Sequence, residues 1–192
     1  GYAGIVEPSR LVIRRYAVVM NDLPHELDGL RIAHVSDTHY GPFISAEYLL
    51  DVARRISALQ PDIVLFTGDH VHFTPQSIKR GISLLAMFRG KLGVAAVMGN
   101  HEHWEGADDC RQAFRETGIP LIDNNRLFLS AEGWSTLPTP DRSLCIAGLG
   151  DLWEDDVLFE KALGDVPDGM PRILLSHNPD AAEIMPPHTR VD

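Results

Sequence analysis

Apolar residues in this chain gather in short continuous runs that end abruptly in Gly, Ser, Asp, Asn or His. The clearest is Ile63-Val64-Leu65-Phe66, which leads directly into Thr67-Gly68-Asp69-His70. A run of this length, apolar on both faces, predicts a buried parallel strand that delivers a carboxylate to the rim of a sheet. The same pattern predicts strands over 30–36, 94–98, 144–147 and 172–175, with shorter ones at 121–122 and 127–129. A further strand is expected over 11–20, rich in Val, Ile and Tyr and bounded by Pro8-Ser9 and by Asn21-Asp22-Leu23-Pro24. Between these runs the period changes. From Ser45, an N-cap residue, Leu49, Val52, Ile56 and Leu59 repeat at helical spacing up to Pro61. Thr74-Pro75 opens a second helix through Ile78, Ile82, Leu85 and Met87, fading near Gly90. A third is predicted over 107–117, closed by Gly118, and a weaker one over 156–163. Strands alternating with helices predict an α/β protein with a largely parallel sheet and helices packed on it.

Composition narrows the class. At 192 residues with 44% hydrophobic content the chain can bury a proper core, and no stretch reaches the roughly 18 consecutive apolar residues of a membrane span. The run after Arg14-Arg15 is too short for a twin-arginine signal. A formal charge of -10 argues against general nucleic-acid binding and favours cations as ligands. Cys110 and Cys145 have neither zinc-ribbon nor redox spacing and read as small buried hydrophobes, with a single structural disulfide as the oxidising-compartment alternative. Gly148-Leu149-Gly150 lacks the third glycine of a dinucleotide fingerprint.

Four predicted strand ends deliver, in order, Asp37 with His39, then Asp69, then Asn100 with His101, then His177. Any one alone is ordinary, since Asp caps helices and His bonds within loops. Together they make an oxygen and nitrogen donor set suited to Mn, Fe, Zn or Co. A carboxylate shared by two such ions holds them at the separation used for phosphoryl chemistry, and Asp69 is the candidate. Thr38-His39 after Asp37 rules out an aspartyl-phosphate phosphatase, which needs a second Asp there.

Ser36-Asp37-Thr38-His39, Gly68-Asp69-His70, Gly99-Asn100-His101-Glu102 and Ser176-His177-Asn178-Pro179 resemble the successive signatures of the calcineurin-like metallophosphoesterases. The match runs from about Leu30 to the C-terminus. Val6-Glu7-Pro8 and Leu27 through Ile32 look more narrowly like the bacterial, often membrane-anchored phosphodiesterase branch, which includes enzymes acting on the pyrophosphate of UDP-diacylglucosamine. The resemblance implies a layered α/β/β/α sandwich with two divalent metal ions, manganese favoured. Asp37 and His39 would hold the first ion, Asp69 would bridge, and Asn100 and His177 would hold the second. His101 would stabilise charge on the scissile phosphate or protonate the leaving oxygen, with Glu102 orienting its ring, while a metal-bridging hydroxide attacks phosphorus. The implied substrate is a phosphorylated small molecule or lipid head group carrying a phosphodiester or pyrophosphate bond, and the alternative is a non-catalytic scaffold of the same fold. The family closes its site with G-H-x-H, expected just after Asp192, so the chain is read as a single domain over 1–192 truncated at its C-terminus, with the last strands beyond it. The chain starts at Gly1 rather than Met, so an upstream anchor would place it at a membrane surface, and membrane-associated and cytoplasmic locations both stay open. His70, His72 and His103 lie close to the motifs and are expected to support rather than ligate. Tyr40, Phe43, Trp104 and Trp153 fall on or near loops at the mouth of the site, with two readings open: contact with a nucleobase or acyl chain, or packing under the loops.

Overall fold

The structure, a computed structural model, describes residues 11–192. Its elements are β1 (Ile32–Val35), α1 (Ala46–Ala58), β2 (Ile63–Thr67), α2 (Gln76–Leu85), β3 (Gly93–Val97), α3 (Asn100–Thr117), β4 (Asn125–Ser130), β5 (Gly133–Ser135), β6 (Leu144–Gly148), α4 (Phe159–Leu163) and β7 (Arg172–Leu175). Short 3-10 turns occupy His25–Leu27 and Pro179–Ile184.

The strands form two sheets. The first is parallel, in the order β1-β2-β3, with Val35 opposite Phe66 and Phe66 opposite Ala96. The second has the order β5-β4-β6-β7, in which β4 is antiparallel to β5 and β6 while β6 and β7 are parallel. Side-chain alternation along β2 shows how the layers stack, because successive residues point to opposite faces. Val64 and Phe66 face the helices, packing with Val52, Ile82, Leu85, Cys110 and Phe114. Ile63 and Leu65 face the second sheet and meet Ala95, Val97, Leu129, Leu144 and Ile146. The far face of the second sheet carries Phe128, Cys145 and Ala147, covered by Phe159, Ala162 and Leu163. Helix, sheet, sheet, helix is therefore the order of layers, and β2 is apolar on both faces because it is buried on both.

Local signals account for most boundaries. The Ser45 hydroxyl accepts from the Tyr48 N–H at 3.2 Å and caps α1. Gly118, at φ 72°, closes α3 in the left-handed conformation.

Several expectations need correction. Residues 11–20 are not a strand: they pair with no strand among the described residues, and Val18 and Val19 are 77% and 93% exposed. Strand propensity without a partner ladder and a face to bury does not make a strand. Residues 121–122 form only a bridge from Leu121 to Ala96. The second sheet is mixed, and its short strand β5 carried no sequence signal of its own. Helix α3 starts seven residues before the expected position, at Asn100 rather than 107, and α4 is shorter than 156–163. Cys110 and Cys145 are free, buried and on opposite outer layers, so no disulfide joins them. The Val6-Glu7-Pro8 lead-in lies outside the described residues. Among the described residues no helix is long and apolar enough to cross a membrane.

Candidate metal centre

The three parallel strands of the first sheet end side by side, and their following residues converge. Past the last ladder bonds the loops after β1 and β2 are tied together: Asp37 N–H donates to Gly68 O at 3.0 Å, His39 N–H to Asp69 O at 2.9 Å and Tyr40 N–H to His70 O at 2.9 Å. This pairing requires unusual backbone. Asp37, His39 and Asp69 all take positive φ, at 54°, 42° and 54°. Such conformations cost about 1 kcal/mol or more each in L-residues and persist where surrounding structure fixes them.

Two glycines permit the close approach. Gly68 has φ 89°, and a Cβ there would lie 2.6 Å from Gly99 N and 2.7 Å from His177 Nδ1. A Cβ on Gly99 would run into Asp69 Oδ1. The glycines of the Gly68-Asp69 and Gly99-Asn100-His101 motifs are thus conditions for placing the carboxylate.

Asp69 is 5% exposed, and its two oxygens face different groups. Oδ2 lies 3.5 Å from His39 Nε2, which is also 3.5 Å from Asp37 Oδ1. Donor atoms of Asp37, His39 and Asp69 all fall within 4.8 Å of one another, close enough to share one ion. Oδ1 lies 3.4 Å from His177 Nε2, which is 3.2 Å from Asn100 Oδ1. On the other side of that ring, Nδ1 sits 2.8 Å from Thr67 O; a carbonyl only accepts, so Nδ1 carries the proton and Nε2 of the neutral ring is a lone pair. Three acceptors then converge at Asp69 Oδ1, Asn100 Oδ1 and His177 Nε2. Convergent lone pairs with no donor among them call for a cation, and this oxygen and nitrogen set fits a divalent ion.

Protonation shows the same demand. Contact with Asp37 holds His39 above its ordinary 6.5, against its burial. Asp37 is driven down to about 2, first by His39, then by the Ser36 hydroxyl and the nearby His177 and His39, while burial opposes. A proton on His39 does electrostatically what a bound cation would do.

His101 stands beside Asp69. Its backbone N–H donates to Asp69 Oδ1 at 3.1 Å, and its ring Nε2 is 3.8 Å from Oδ2. Glu102 does not orient that ring, contrary to the expectation. It is fully buried, and its carboxylate accepts four backbone N–H bonds: Asp69 and Gly99 at 2.8 Å on Oε2, His70 at 2.7 Å and Val71 at 3.0 Å on Oε1. Glu102 therefore locks the loop carrying Asp69 to the start of α3. Asp123 adds a second tie by accepting the Met98 N–H at 2.8 Å, and burial pushes its carboxyl up to about 7.

The remaining histidines separate. His70 is buried between Phe66 and Phe114, with Nε2 on Val97 O at 3.0 Å, and belongs to the core. His72 joins the site, with its ring centroid 5.1 Å from His39 and 4.4 Å from His101. No periodicity in the sequence reveals this; the bond from His72 N–H to Tyr40 O, which pairs the two loops, places it. Phe43, Trp104 and Trp153 are exposed, and Trp104 sits on α3 with its ring 4.9 Å from His101.

The sequence pattern described as calcineurin-like phosphoesterase matches residues 30–190. An uncharacterized metallophosphoesterase YkuE of Bacillus subtilis is 30% identical over 185 residues, covering 95% of this chain and 62% of the relative. The UDP-2,3-diacylglucosamine pyrophosphatase LpxG of Chlamydia trachomatis is 29% identical, covering 93% of this chain and 66% of that protein. The phosphodiesterase YaeI of Escherichia coli is 25% identical, covering 96% and 65%. The chain thus spans about two thirds of the length of these relatives or less. Among solved structures, TT1561 of Thermus thermophilus aligns with a TM-score of 0.51 at 14% identity, over 76% of this chain and 66% of that one, which shows a shared fold.

Proposed function

The chain belongs to the calcineurin-like phosphoesterase family, and on that premise we propose that it is a metal-dependent hydrolase of phosphodiester or pyrophosphate bonds. The observation that carries the reading is Asp69: one buried carboxylate whose two oxygens face two separate donor groups, with the His101 ring alongside. Asp37, His39 and Asp69 would hold one divalent ion, and Asp69, Asn100 and His177 a second. Ions bound there would supply an activated water near neutral pH and withdraw charge from the phosphoryl oxygens.

The chain's own residues supply the rest. The rigid ends of two sheets fix the donors before substrate arrives, so little reorganisation is needed during reaction. Glu102 keeps Asp69 in place through the backbone rather than through any contact with substrate. His101 presents Nε2 to the same space as Asp69 Oδ2, where a hydrogen bond to the phosphoryl or leaving oxygen would strengthen as negative charge develops. Mn²⁺ is the favoured ion. The substrate class, a phosphorylated small molecule or lipid head group, draws support from the relatives LpxG, a UDP-2,3-diacylglucosamine pyrophosphatase, and YaeI, a phosphodiesterase.

The test is hydrolysis of bis(p-nitrophenyl) phosphate by the purified chain with Mn²⁺. Asp69→Ala is expected to abolish turnover, and His101→Ala to lower it by about 100-fold or more. Undiminished turnover in both variants would overturn the assignment. Tight metal binding without turnover of any phosphodiester or pyrophosphate would favour the scaffold instead.

A further inference from the structure

Two exposed phenylalanines stand beside the candidate metal centre. We propose that Phe43 and Phe73 form a lip that receives the apolar substituent, an aliphatic chain or an aromatic ring, of a phosphate ester held at that centre. They set which esters bind and take no part in bond breaking. The functional meaning rests on the phosphoesterase reading.

The loops that carry candidate ligands also build the lip. Phe43 follows Asp37 and His39 in the loop after β1, and Phe73 follows Asp69 in the loop after β2. The His72 N–H donates to Tyr40 O at 3.0 Å and draws the two loops together. Gly41 lets them touch, since a Cβ there would lie 2.5 Å from His72 O. The rings of Phe43 and Phe73 then meet edge to face, with centroids 5.6 Å apart. The Phe73 ring stands 4.5 Å from that of His72, which is itself 5.1 Å from the His39 ring. A substituent that leaves the centre past His39 therefore comes to the lip.

Packing does not account for the pair. The same loops place Tyr40 and Ile44 against Leu49 and Leu84, and Val71 in the helix-side core. Phe43 and Phe73 remain 77% and 59% exposed. Phe73 also holds φ 76°, a conformation in which a bulky side chain is strained. A ring this exposed recovers little of that cost by burial, and strain that stability does not reward is found where a chain grips a ligand. The two rings offer neither charge nor a hydrogen-bonding group, so what they recognise is apolar surface. A polar substituent would lose hydration against them without gaining a partner.

The experiment measures binding of methyl-, hexyl- and phenylphosphonate to the Mn²⁺-loaded chain by titration calorimetry. The three share a head group and differ in the apolar part. The wild type should bind hexyl- or phenylphosphonate at least about 10-fold more tightly than methylphosphonate, and which of them gains assigns the substituent to a chain, a ring or either. In Phe43→Ser and in Phe73→Asn the preference should fall to about threefold or less, with metal content unchanged. Asn adopts positive φ readily, so Phe73→Asn should keep or raise the wild-type Tm. Equal binding of all three ligands by the wild type, a preference that survives in either variant, or loss of metal from either would overturn the proposal. So would a Phe73→Asn chain melting more than about 4 °C lower, which would make Phe73 a packing residue. Binding to phosphatidylcholine vesicles that disappears in the variants, with no preference among the phosphonates, would overturn it in favour of a membrane contact. A chain that shows the preference yet hydrolyses no phosphate ester would contradict the phosphoesterase reading and leave the lip assigned.

Discussion

At the scale of single residues, Glu102 shows how far a motif can be read without its geometry. Its place in Gly99-Asn100-His101-Glu102 marked it as part of the site, but nothing in the sequence distinguishes a carboxylate bonded to a ring from one bonded to four backbone N–H groups. Glu102→Gln should therefore act on stability first. The new amide nitrogen would face two N–H donors, leaving buried groups unpaired at a cost of about 3 kcal/mol. In a chain of this size that corresponds to a fall in Tm of about 6–12 °C, measurable by calorimetry. An unchanged Tm would contradict the role. Asp37 and His39 predict a pH dependence. The depressed Asp37 contributes stability above its ordinary 3.8, lost as pH falls toward about 2, and the raised His39 contributes below 6.5, lost as pH rises through its folded value. A cation must displace the His39 proton, so metal affinity should weaken as pH falls through the raised pKa of His39, above 6.5, with about one proton released per ion bound. Titration calorimetry in buffers of differing ionisation enthalpy reads that proton directly, and a pH-independent affinity would oppose the assignment.

At the scale of elements, the legible parts were those governed by local rules. The buried run 63–67, the Ser45 cap and the Gly118 stop all depend on neighbours in sequence. What escaped was set by distant partners. The segment 11–20 has strand composition but no ladder, and β5 exists because β4 offers it an edge. Helix α3 is the instructive miss. Gly106, at φ 144° and ψ 88°, breaks it, so the pattern after the break was visible while the first turns, carrying Asn100 and His101, resembled a loop. The break lets those turns aim at the site while Cys110 and Phe114 pack into the core. Gly106→Ala is expected to cost roughly 1–3 kcal/mol, since only glycine takes that conformation freely. It should lower Tm and weaken metal binding together, and a variant as stable and as metal-competent as the wild type would show that the break is dispensable.

At the scale of the whole molecule, the candidate site is a consequence of layering. Four donors, Asp37, His39, Asp69 and Asn100, come from the ends of one parallel sheet, and His177 crosses from the other through its bond to Thr67 O, 110 residues away in sequence. The order of the motifs made this convergence, and the division of its donors into two groups around Asp69, readable through resemblance; the ties that hold Asp69 there, through Glu102 and the paired loops after β1 and β2, depend on distant partners and are visible only in the fold. The excess of acidic residues gives the molecule a net charge suited to attracting cations rather than polyanions. The central claim is that Asp69 joins two cation sites, and elemental analysis of the metal-loaded chain tests it most directly. The wild type should hold two divalent ions per chain, and Asp69→Ala, shown to be folded by circular dichroism, should retain neither at the same free metal concentration. A folded Asp69→Ala chain that keeps both ions, or a wild type that binds none, would contradict it.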